Sequence, residues 1–147
     1  MSKILHYKAQ NEISSKAWLL LRTLNSVRSY TSVEVTPQIE PHLGADDFSP
    51  QVIPAYSAKK VFEQLSKENK SYSNFLYKEA MLNPTNVHDK ADNFEAPIVQ
   101  KFRKNRNLQQ ETGFRSLGNE QYFYIARPLE VTSSSCLRCH IAILNEL

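Results

Sequence analysis

Residues 111–131 read ETGFRSLGNEQYFYIARPLEV, two runs of strand-forming residues separated by a Gly-Asn pair. Thr, Phe, Tyr, Ile and Val suit a pleated, half-buried surface, and they fill both Glu111–Leu117 and Gln121–Val131. The intervening GNE supplies Gly118 and Asn119, the residue types that two-residue hairpin turns demand. The spacing therefore predicts an antiparallel hairpin. Everything upstream reads as helices and turns, so helices come first and the hairpin last. That order predicts an α+β domain, with helices packed on a small antiparallel sheet.

Ile13, Ala17, Leu20, Leu24 and Val27 recur at three-four spacing, which predicts one long amphipathic helix from about Leu5 to Tyr30. Arg28 sits near its end, where a cation suits the helix dipole. The helix is longer than a small domain needs. Its apolar stripe is expected to pair with a second copy of the chain, unless the domain's own core covers it. The chain thus divides into a helix over residues 1–30 and a domain over residues 31–147. Thr36–Pro54 carries four prolines and Gly44, and reads as an ordered loop. A second helix starts at Pro54, with Ala58, Val61, Phe62 and Leu65 on one face, and KENKS ends it. Tyr72–Leu82 is aromatic-rich and fits a strand or a helix. NPTN (Asn83–Asn86) is a turn, because the residue before a proline is pushed out of the helical region. A third helix follows, capped by Asp89 or Asp92, with Phe94, Ile98 and Phe102 one turn apart.

Composition excludes several classes. Hydrophobic residues make up 41% and charged residues 22%, the balance of an ordinary globular chain. A net charge of +3, with one basic cluster at Lys101, Arg103, Lys104 and Arg106, describes a solvated helix end and not a nucleic-acid footprint. No run approaches the roughly 20 apolar residues of a membrane span, the longest being Ala17–Leu21. No nucleophile–base constellation or Gly-rich phosphate loop is present, so an enzyme is not expected.

Both cysteines of the chain lie in SSSCLRCH, residues 133–140. Cys136, Cys139 and His140 form C-x-x-C-H, the pattern of c-type haem attachment. Two thiols add across the porphyrin vinyl groups, the two-residue spacer sets the sulfurs apart, and the adjoining imidazole becomes an axial ligand. Other readings fit less well. A redox dithiol belongs at a helix N-terminus in a βαβ setting. A structural zinc site needs four ligands, and His6, His42 and His88 are scattered.

Beyond this motif, PAYSAKKVFEQL, YKEAMLNPTN, ADNFEAPIVQKFRKN, YFYIARPLEV and SCLRCH follow in this order from Pro54 to His140. Together they resemble the haem-binding sensor domains of the DUF3365, or Tll0287-like, family, found in cyanobacteria and other bacteria, often upstream of a histidine kinase or nucleotide cyclase. The resemblance implies a PAS-like fold, an antiparallel sheet flanked by helices with one haem c held against it. It also implies an extracytoplasmic, periplasmic position in a membrane-anchored parent protein. One departure stands out. In a soluble member of the family a cysteine just before a proline is the second axial ligand, whereas the matching stretch here is QVIP, with Val52 in place of the cysteine.

The expected function is a sensory domain whose haem detects redox state or a small gas and signals to an attached output domain. The alternative is a small monohaem cytochrome carrying electrons between redox partners. With Val52 unable to bind iron, the sixth position is either open or filled by His42, His88 or Met81. Met81 lies beside an apolar stripe, where a packing role is the simpler one. Arg127, before Pro128, is the better candidate for a haem propionate because its fork matches a carboxylate, and Lys78 is the weaker one.

Overall fold

The structure, a computed structural model, describes residues 3–129, with side chains from residue 10 onward. The chain is α+β. Four α-helices, α1 (Lys3–Tyr30), α2 (Thr36–Ile39), α3 (Pro54–Glu68) and α4 (Glu95–Lys104), precede β1 (Glu111–Leu117) and β2 (Glu120–Ala126). The residues fall into two compact units. One contains residues 3–20 of α1 with residues 80–129, and the other contains residues 21–79.

In the second unit the long helix does not stop at Tyr30. The chain passes through a π turn, Thr31–Val35, into α2 and then a 3₁₀ turn at Glu40–His42, with Tyr30, Val35, Thr36, Ile39 and Glu40 all right-handed helical. The loop expected from Thr36 therefore begins only after His42. Pro37 explains both the expectation and its failure. It has no N–H to give the carbonyl four residues back, and its ring would collide with that carbonyl in a regular α-helix. The wider π turn accommodates the proline without ending the helix, and the Thr36 N–H bonds Thr31 five residues back.

Two threonines hold this turn, each only 2% exposed. The Thr31 hydroxyl donates to the Val27 carbonyl at 2.9 Å. The Thr36 hydroxyl lies 2.8 Å from both the Thr31 and the Val52 carbonyls, tying the helix to the 3₁₀ turn Pro50–Val52. The π turn also packs against α3. Pro54 opens α3 at its first position, as the sequence predicts, and Pro54 and Ala58 are buried while Val61 stays 43% exposed. The α1 stripe divides similarly. Leu24 is sealed at 1% exposure, and Ile13, in the first unit, is 49% exposed.

Residues 75–80 form neither the strand nor the helix that Tyr72–Leu82 admitted. Met81 instead makes an isolated parallel bridge with Lys90, closing a loop over residues 81–90. In the first unit β1 and β2 pair antiparallel from Glu111↔Ala126 to Leu117↔Glu120. The β1 limits match the expected ones, whereas β2 ends at Ala126, short of Val131. Gly118 has φ +60° and Asn119 does not share that sign, the arrangement of a type II′ turn.

Replacing Thr36 by Val keeps the shape but removes the single hydroxyl donor that the Thr31 and Val52 carbonyls share. Thr36→Val should lose about 0.5–1.5 kcal/mol of unfolding free energy, the net worth of one intramolecular hydrogen bond. Urea denaturation followed by circular dichroism would measure it.

Candidate functional site

The hairpin is held by one face. Side chains alternate along paired strands, so Glu111, Gly113, Arg115, Tyr122 and Tyr124 point one way, and Thr112, Phe114, Phe123 and Ile125 the other. The first set meets α4 and the residues before it. Asp92 starts that helix with a reciprocal cap. Its Oδ1 accepts from the Phe94 and Glu95 N–H groups, each at 2.9 Å, and Glu95 Oε2 accepts from the Asp92 N–H at 3.0 Å. Asp92, not Asp89, is therefore the cap.

The two capping carboxylates also receive the hairpin. Arg115 donates to Asp92 Oδ2 through one nitrogen and to Glu95 Oε1 through another, the latter at 3.1 Å. Its guanidinium carbon lies 4.9 Å from the centre of the Phe94 ring. Phe94 in turn meets Tyr124 edge to face at 5.3 Å. Gly113 makes that contact possible, since a Cβ on it would sit 2.8 Å from Tyr124 Cε1. The Tyr124 ring thus lies over the bare backbone of β1. Its hydroxyl donates to Glu111 Oε1 at 3.3 Å, and burial, reinforced by that carboxylate, pushes its phenol above the ordinary value. Lys101 Nζ comes within 2.6 Å of Glu111 Oε2, a charge contact without hydrogen-bond alignment.

A second polar group lies in the other unit. Arg28 pairs with Glu79, and the Tyr77 hydroxyl donates to the same carboxylate at 2.6 Å. Arg28 therefore has a carboxylate partner as well as its place on the helix, which does not end there. Burial first, and Glu79 second, push the Tyr77 phenol well above its usual range, so it remains a neutral donor. The Tyr77 ring stacks obliquely on Phe62 at 5.7 Å.

The residues singled out from sequence are divided between the two units. Met81 and His88 share the closed loop. The Met81 N–H donates to the Asp89 carbonyl at 2.8 Å and its own carbonyl accepts from Ala91 at 2.7 Å, while the exposed His88 gives its backbone N–H to Asn86 Oδ1. His42 is exposed at the end of its 3₁₀ turn in the other unit, which also holds the exposed Lys78. Val52 contributes a carbonyl to Thr36 and has no iron-binding side chain. Arg127 is exposed, its guanidinium 5.3 Å from the Trp18 ring. Cys136, Cys139 and His140 lie outside the described residues. Among the described residues no cluster of His, Cys, Asp or Glu would hold a metal ion, and no helix is long and apolar enough to cross a membrane.

Sequence reasoning missed the Arg115 network, although Asp-x-x-Glu at 92–95 carries the signature of a reciprocal cap.

The Tll0287-like family model matches residues 6–145. The chain belongs to that family. No curated protein and no solved structure matches it.

The Arg115–Asp92 pair carries a pH signature. Partial burial pushes the Asp92 carboxyl up, but the Arg115 hydrogen bond and the Glu95 and Phe94 N–H groups outweigh it and hold the group below its ordinary 3.8. A depressed folded-state value contributes stability above the unfolded value and loses it as pH falls through the folded one. Asn caps a helix as well as Asp does, so Asp92→Asn isolates the charge. Wild type should exceed Asp92→Asn in stability at neutral pH, with the gap closing as pH drops below 3.8. Denaturation midpoints across an acid series measure this.

Proposed function

We propose that the chain is a haem c-binding sensory domain that detects redox state or a small gas and signals to an attached output domain. The observation that carries this reading is C-x-x-C-H at residues 136–140, containing every cysteine of a Tll0287-like chain. The donor set fits the group. Each thiol adds across a vinyl double bond, sulfur to one carbon and hydrogen to the other, so the linkage needs no external oxidant. His140 offers its neutral imidazole to the iron. Haem would supply a one-electron centre and a position for a diatomic gas.

The chain's own residues define the other side. Val52 replaces the cysteine of the soluble relative, and both thiols are consumed by the thioethers, so no thiolate remains to ligate iron. A thiolate lowers the potential of haem iron. This domain should therefore lack a thiolate-type spectrum and have a higher potential than a His/Cys haem. The sixth position is then either open or filled by His42, His88 or Met81, which an incoming gas would have to displace. In such a domain α1 is the element through which a change would pass to a partner copy or an output domain, and the setting would be extracytoplasmic.

Production in a host with haem-attachment machinery tests the reading. Intact mass should exceed the 16.9 kDa chain by one haem and persist after denaturation. Haem that extracts into acidified ketone would refute covalent attachment. His140→Ala should keep the thioethers and lose the low-spin spectrum or markedly shift the potential, since the axial ligand sets much of it. Rapid mixing of reduced protein with carbon monoxide, in wild type, His42→Ala and His88→Ala, should show faster uptake in the variant that has lost a distal ligand. Equal rates in all three would exclude both histidines.

A further inference from the structure

The end of α1 is joined to the rest of the unit of residues 21–79 at two places, and the two joints differ in kind. The first is the Arg28 guanidinium, which pairs with Glu79 while the Tyr77 hydroxyl donates to the same carboxylate at 2.6 Å. The Arg28 and Glu79 side chains are 16% and 13% exposed, so separating them would strand a largely buried charge. That joint is fixed. The second is Thr36. Its hydroxyl carries one proton and faces two carbonyls, Thr31 within the helical path and Val52 outside it, each at 2.8 Å. If the Val52 carbonyl moves away, the hydroxyl donates wholly to Thr31, and the Thr31 hydroxyl keeps its own bond to Val27. No donor in the buried turn is then left without a partner. Val52 is only partly buried and ends the 3₁₀ turn Pro50–Val52, so its carbonyl can turn to water. This joint can open.

We propose that the Thr36 hydroxyl is a releasable latch. Displacement of the Pro50–Val52 turn withdraws the Val52 carbonyl, loosens the π turn and frees the end of α1, with Arg28 as the fixed pivot. Thr36 is suited to this because it also closes the π turn, its N–H bonding the Thr31 carbonyl five residues back. A change at its hydroxyl therefore acts on the residue that keeps α1 and α2 one helical path. π turns inside helices are frequent at functional sites, where one bond more or less alters the path of the chain. This role rests on the haem reading above, in which Val52 stands on the distal side and a bound gas or a change of iron valence displaces the turn. It names the hydrogen bond by which that displacement enters α1.

The test uses holoprotein in which intact mass has confirmed covalent haem. Amide hydrogen exchange is followed over residues 27–43 in the oxidised, reduced and carbon monoxide-bound forms. In wild type, exchange at residues 31–36 should differ about fivefold or more between forms, the lower end of ordinary coupling between sites. Thr36→Val removes the latch, so exchange there should be fast in every form and the difference should vanish. Thr36→Ser keeps a hydroxyl and should keep the difference. Arg28→Gln loosens the pivot and should speed exchange around residue 28 without abolishing the difference. Linkage is reciprocal, so Thr36→Val should also change the affinity for carbon monoxide several-fold, and Thr36→Ser should not. Equal exchange in all three forms of the wild type, or a difference that survives in Thr36→Val, would overturn the latch and leave the haem reading intact. Wild type without covalent haem would refute that reading, and the latch with it.

Discussion

Arg115 determines which way the hairpin faces. Its guanidinium binds Asp92 and Glu95, the two carboxylates that start α4, and rests over Phe94 between them. A two-stranded hairpin is marginal alone and needs packing on a helix to persist. Here the packing is polar at its centre, and polar packing is directional. A hydrophobic face tolerates a shift of one residue in register far less than a mixed one, but it does not choose which carboxylate it meets. Arg115 does. Once it is seated, alternation along the strands turns Glu111, Gly113 and Tyr124 toward α4 and leaves Phe114, Phe123 and Ile125 on the far side.

The same carboxylates serve two purposes, which couples local to tertiary structure. Asp92 satisfies N–H groups that the first turn of a helix leaves without partners, and its second oxygen takes Arg115. Removing the cap would therefore loosen the hairpin, and removing the arginine would leave two carboxylates near each other at a helix start. The unit containing residues 21–79 uses a comparable device. Arg28 reaches Glu79, fifty-one residues later in the chain, and Tyr77 fills the carboxylate's other oxygen. In both places a guanidinium crosses between segments that have few fully buried apolar side chains between them. Among the described residues Leu24, Pro54 and Ala58 are the buried apolar side chains.

The legible parts of this chain were those encoded by contiguous residues. The hairpin could be read because alternation, a Gly-Asn pair and seven-residue runs all agree within one short stretch. The α3 start could be read because proline is favoured at a first helical position. C-x-x-C-H could be read because its chemistry depends on adjacent residues and not on folding. The continuation of α1 through Pro37 could not, because a proline-rich stretch ordinarily signals a loop, and the π turn that absorbs it depends on Thr36 meeting Val52 sixteen residues away. Arg115 was equally opaque. Its partners lie twenty and twenty-three residues upstream, and nothing local marks an arginine on a strand as inward-facing.

A covalent tether changes what a binding surface must achieve. A freely dissociating ligand is usually held in a cavity that buries about 70–90% of its surface, because contacts alone must offset its lost freedom. On the proposed reading the two thioethers already hold the haem, and contact with the protein becomes an intramolecular event at high effective concentration. A shallow surface then suffices. Its work shifts from affinity to orientation and polarity, the quantities that set an iron potential. Arg127 fits the same logic. An exposed cation, stacked on Trp18, would contribute little to retaining a ligand, but on that reading a place beside a propionate would let it stabilise the reduced iron and so raise the potential. A sensor that keeps its haem by covalent bonds can vary such surface residues to tune its response without risking loss of the cofactor.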